Sequence, residues 1–133
     1  ILGCIAGAIL ANVMFEQPAV AWSTNDRATP AHLLAEVVAT AGLVLVIFVL
    51  VRLGRTVHAP AAVAAYIGAA YFFTSSTSFA NPAITTGRMF TDTFAGIAPA
   101  AAPWFIGAQL VGAILGAALA MGLGRRSEEM TTS

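Results

Sequence analysis

Phe79-Ala80-Asn81-Pro82-Ala83-Ile84-Thr85-Thr86-Gly87 follows an apolar run (66–73) and five consecutive hydroxyl residues, Thr74-Ser75-Ser76-Thr77-Ser78. From Pro82 roughly ten residues pass before polar loop residues return, about half of what a helix needs to cross a bilayer. An apolar segment that breaks into polar backbone and then opens a half-length helix is lining a cavity. Unpaired backbone at membrane depth is tolerated only where it faces protein or water. This stretch therefore points to a pore or transport protein.

Composition agrees. Of the 133 residues, 59% are hydrophobic and 9% charged, with a mean hydropathy of +0.85. A soluble domain carries about 25% charged residues, so the chain reads as an integral membrane protein with the lipid bilayer as its first partner. Lysine is absent, and six arginines balance six acids, which predicts no nucleic-acid partner. Cys4 is the single cysteine, so there is no internal disulfide, and neither a metal nor a cofactor is expected. No nucleophile–base constellation supports an enzyme. Ile1 begins inside an apolar run without a Met, so the chain reads as part of a longer protein.

Outward from the central motif, four apolar segments can be drawn, about 1–15, 32–51, 59–73 and 103–123, with a half-helix at 82–91 and a tail at 124–133. Pro30, Pro60, Pro82 and Pro103 each stand at an expected first helical turn, where the missing N–H costs nothing. Arg52 and Arg55 lie in one loop, and Arg125 and Arg126 in the tail. The positive-inside rule places both in the cytoplasm, so the Asn81 element dips in from outside. Trp22 and Trp104 then fall near the outer interface.

Residues 2–11 resemble residues 111–120, with glycines, alanines and bulky residues in phase. Gly3/Gly7 and Gly112/Gly116 are both small-xxx-small pairs that allow close helix approach. The first and last segments are read as closing helices of two inverted repeats. A second half-helix is then expected roughly 30 residues before Leu2.

Several side chains are candidates for function. Asn81 is an N-cap whose spare N–H can point into a pore, beside the partial positive charge of a helix start; the plain alternative is a cap stabilising its helix by about 1 kcal/mol. Pro82 fixes the first turn, and Ala83 is small enough for a partner motif to abut it. The hydroxyls of 74–78 either free carbonyls to face a pore or only satisfy an irregular buried segment. Glu36 is an ionisable group within a span, a functional candidate by default. His32 and His58 sit at span ends and read as interfacial, with a pH gate at His58 the lesser alternative.

With these residues in place, the chain resembles the C-terminal part of the major intrinsic protein family, the aquaporins and aquaglyceroporins, from third to sixth transmembrane helix. Asn81-Pro82-Ala83 after the third of four spans carries the resemblance, with Glu36 in the outer half of the second. The stretch Thr91-Asp92-Thr93-Phe94-Ala95-Gly96-Ile97-Ala98-Pro99 is similar to bacterial members, some associated with arsenical resistance. The resemblance implies an all-α, aquaporin-like inverted-repeat bundle with a re-entrant half-helix, assembled as a homotetramer. It implies a passive channel for water or small neutral solutes such as glycerol, urea or neutral metalloid hydroxides. It also implies that Glu36 braces buried N–H groups of the re-entrant loop. One departure stands out: the family usually has arginine after this motif, and this chain has Ile84. Counting back from Asn81 places Ser78 and Ala69 at two further constriction positions, the latter often histidine in water-selective members. Such a filter is wider and poorer in donors. Arg88, one turn beyond Ile84, either partly substitutes or, as preferred here, snorkels to the outer surface. A secondary transporter half and a non-conducting scaffold remain as alternatives.

Overall fold

A computed structural model describes the backbone of residues 1–131 and the side chains of residues 1–124. Arg125 and Arg126, the expected positive pair of the tail, fall outside the described side chains. Among the described residues five α-helices follow one another: α1 (Leu2–Met14), α2 (Pro30–Arg52), α3 (Ala59–Phe73), α4 (Pro82–Gly87) and α5 (Ala102–Thr131). Three stretches, Pro30–Arg52, Thr56–Phe73 and Ala102–Gly124, are long and apolar enough to cross a membrane, and Leu2–Met14 is a shorter apolar helix.

Local chemistry sets the helix starts. Thr29 caps α2 by accepting from the His32 N–H, and Pro30 follows at the first turn. Asn81 caps α4 in the same way, its Oδ1 accepting from Ala83 N at 2.8 Å ahead of Pro82. The half-helix is shorter than the 82–91 expected, since a 3-10 turn at Arg88–Phe90 closes it.

The most extensive helix pair is α2 with α5, and glycine makes it possible. A Cβ on Gly112 would lie 2.5 Å from the Val37 carbonyl oxygen, and one on Gly116 would collide with the Ala41 backbone. The small-xxx-small expectation for α1 is not met in the same way. A Cβ on Gly3 or Gly7 would meet nothing within 4 Å, so among the described residues those glycines mediate no close approach. At the far end Arg52 donates to the Ala120 carbonyl at 2.7 Å and lies over Gly124.

The loop at 15–29 folds over the segment that follows α4. Ala21 and Ser23 donate backbone bonds to Phe90 and Met89, Thr24 N donates to Asp92 Oδ1 at 2.8 Å, and Asn12 Nδ2 donates to the Phe90 carbonyl at 2.9 Å. These bonds gather the loops before α2 and before α5 at one end of the bundle.

The interior is polar where the surface is apolar. Phe72 is 93% exposed and Leu2 84%, while Glu36, Ser76 and Thr85 are fully buried. An apolar core of Phe79, Ile97, Ala101 and Phe105 lies beneath the re-entrant loop, with the Phe79 and Phe105 rings edge to face at 5.3 Å.

Candidate functional site

The segment between α3 and α4 is held in a conformation that its sequence alone would not choose. Thr77, Ser78 and Ala80 have φ of 64°, 51° and 49°, a region that costs L-residues about 1–3 kcal/mol each and persists only where surroundings enforce it. Glu36 supplies the enforcement. Its Oε1 accepts from Ser76 Oγ at 2.7 Å and from Phe79 N at 2.9 Å. Its Oε2 accepts from Ala80 N at 3.0 Å and from Gln109 Nε2 at 2.7 Å. Four donors converge on one carboxylate with no accessible surface. Charge-assisted bonds of this kind are roughly twice as strong as neutral ones.

Gln109 extends the network, donating also to Thr85 Oγ1 at 2.9 Å. One buried amide thus ties α5 to α2 and to the half-helix. Arg27 holds the loop from the opposite side. Its guanidinium donates to the carbonyls of Gly96 at 2.8 Å, Ser76 at 3.4 Å and Phe94, and it stands 5.6 Å from the centre of the Phe79 ring. Desolvation by burial, and then the charge of Arg88, push its pKa below the ordinary guanidinium range. Arg27 does not pair with its sequence neighbour; Asp26 instead caps the turn through Ala28 N.

These supports leave Asn81 exposed at the tip of α4, with Oδ1 bound to Ala83 N. Its Nδ2 makes no bond among the described residues. Pro82 is exposed beside it and Ala83 half-buried. Ile84 packs partly on the apolar core and partly lines a cavity of about 660 Å³ that α1 walls on the other side through Cys4, Ala8 and Asn12. Arg88 lines the same cavity; Ala69 and Ser78 do not. Ala69 is exposed on α3. Ser78 is buried, and its hydroxyl has no partner.

Arg88 departs from the snorkelling expectation. It turns back onto the loop, donating to Thr77 Oγ1 at 3.4 Å and to the Tyr71 hydroxyl, with its guanidinium 4.3 Å from the Phe79 ring centre. The face of Phe79 attracts both the Arg27 and the Arg88 guanidinium, a contact that side-chain length alone does not reveal. Arg27, Gln109, Thr85 and Asn12 were not singled out as site residues by sequence reasoning. A lone glutamine among apolar neighbours was the available signal for Gln109. Arg27 had none, because its partners are backbone carbonyls.

Apolar spanning helices, joined to a carboxylate-braced break ahead of a half-length helix, define an all-α integral membrane protein of the re-entrant kind. In sequence the chain is similar to a member of the major intrinsic protein family. Over 119 residues it is 47% identical to the aquaglyceroporin AqpS of Rhizobium meliloti (strain 1021), a match covering 90% of this chain and 51% of that protein. The chain thus spans about half the length of the curated relative it matches. No model of a known protein family matches it, and no solved structure does.

Proposed function

We propose that the protein is a passive transmembrane channel for water and small neutral solutes, among them glycerol, urea and neutral metalloid hydroxides. The observation that carries this reading is the strained loop clamped by Glu36, which presents Asn81 at the tip of a half-helix with Nδ2 unspent. A hydroxylated solute can accept from that N–H as it sheds water. The 47% identity to an aquaglyceroporin supports the same reading, and a channel carries out no covalent chemistry.

The filter is relaxed in this proposal, with Ile84 where the family usually has arginine and with Ala69 and Ser78 as its other small members. Coupled transport is the weaker alternative. All four hydrogen bonds to Glu36 come from protein donors, which favours bracing over ion carriage. The 52–58 loop and the C-terminus are assigned to the cytoplasm and the assembly to a homotetramer.

The test is osmotic light scattering on proteoliposomes of the full-length protein under water and glycerol gradients, with and without Ile84→Arg. Fast glycerol entry that the arginine suppresses is the expected outcome. Fast water flow without glycerol entry would overturn the relaxed filter, and no flux of either would overturn the channel.

A further inference from the structure

We propose that Arg88 is the fixed charge that keeps protons and metal cations out of the path, set one helical turn outward from Ile84; the inference rests on the channel reading. Ile84 offers neither charge nor donor at its position. A path without a fixed cation near its constriction has lost one of the ordinary electrostatic barriers to ions.

Arg88 has the placement for that task. It lines the same cavity as Ile84, so a solute passing one meets the other. Its guanidinium is tethered to three separate segments: Thr77 in the re-entrant loop, Tyr71 near the end of α3 and the face of Phe79. A long side chain so held cannot swing into bulk solvent without losing all three contacts. Every hydrogen-bond acceptor it uses is a neutral hydroxyl, so its charge is not cancelled at close range. Two of its five N–H groups are engaged, which leaves donors for a neutral hydroxylated solute.

A second cation stands behind the first. Arg27 shares the Phe79 ring, and its hydrogen bonds all run to carbonyls. The ring therefore has a guanidinium from the 15–29 loop and another from the segment that closes α4. Arg27 lies behind the cavity wall with Glu36 acting on it, so Arg88 is the charge that an arriving cation meets, in a medium where repulsion is several times stronger than in water. Arg27 is a positioning residue here: it fixes Phe79, Ser76 and Gly96, and through the ring it fixes Arg88.

The experiment is carried out on the full-length protein in liposomes loaded with a pH-sensitive dye. Proton leak under a clamped potassium potential is divided by glycerol flux in the same vesicles. Arg88→Gln should raise that ratio about tenfold or more, as expected for loss of a charge barrier. Arg88→Lys should hold it near the wild-type value, and Ile84→Arg placed in the Arg88→Gln background should bring it back down. An unchanged ratio in Arg88→Gln, or a lysine variant that leaks as much as the glutamine, overturns the proposal. Should Arg88→Gln fail to assemble, Tyr71→Phe carries the test, with a severalfold rise expected and no rise counting against it. A wild-type protein that passes no glycerol would instead remove the channel reading, and this inference with it.

Discussion

Glu36 turns a costly buried group into a constraint on the segment ahead of α4. An isolated carboxylate in an apolar interior would shed its charge, yet four donors surround this one. Glu36→Gln replaces one acceptor oxygen with an amide donor facing donors already in place. With about 1.5–3 kcal/mol at stake for each hydrogen bond to a charged group, the variant should unfold at clearly lower temperature in detergent and lose solute flux. Thermal scans by circular dichroism read the first effect. Gln109→Leu removes one donor each from Glu36 Oε2 and from Thr85 Oγ1, which keeps its bond to the Asn81 carbonyl, and should cost about 1–3 kcal/mol by the same arithmetic. If both variants melt like the wild type, the network does not hold the loop.

Between helices, contact depends on the absence of side chains. Gly116 faces the Ala41 backbone and Val44, and Gly112 faces Val37 and Thr40. Gly116→Val should separate α2 from α5 and cost about 1–3 kcal/mol, the usual range for overpacking. Gly3→Ala on α1 has open space around it and should fall within about 0.5 kcal/mol of the wild type. Equal effects from the two would mean that α2 and α5 do not meet through these glycines. The re-entrant segment makes the reverse point. Ala80 sits at φ 49°, where glycine carries no steric penalty. Ala80→Gly should leave the melting temperature unchanged or raise it, while Ala80→Val should lower it.

Across the whole molecule, the proposed channel would take the α4 tip and the cavity beside Ile84 as one wall of its path. Asn81 and Pro82 remain exposed, with a single half-helix among the described residues. Residues 1–133 alone should therefore insert into liposomes as helix without passing glycerol; measurable flux would show that copies of this chain close a pore by themselves. The orientation proposed from arginine placement puts Arg55 on the cytoplasmic side. Trypsin added to sealed, right-side-out vesicles should spare Arg55 and cut it only after permeabilisation.

The all-helical, membrane-spanning class was legible in the sequence because it depends on properties that survive without coordinates: apolar length, sparse charge, proline at helix starts and a polar break before Asn81. Each is a local statement about backbone satisfaction in lipid, and Glu36 stood out because a carboxylate inside a span needs a reason. Tertiary structure decided what no local pattern encodes. It brought Gln109 to Glu36 and Arg27 to carbonyls far along the chain, and it turned Arg88 inward onto Phe79. It also separated Gly112 and Gly116, which have a helix pressed against them, from Gly3 and Gly7, which do not. Hydrogen bonds to backbone and ring-face contacts leave no residue-specific mark on the partner's sequence, so only folding together reveals them.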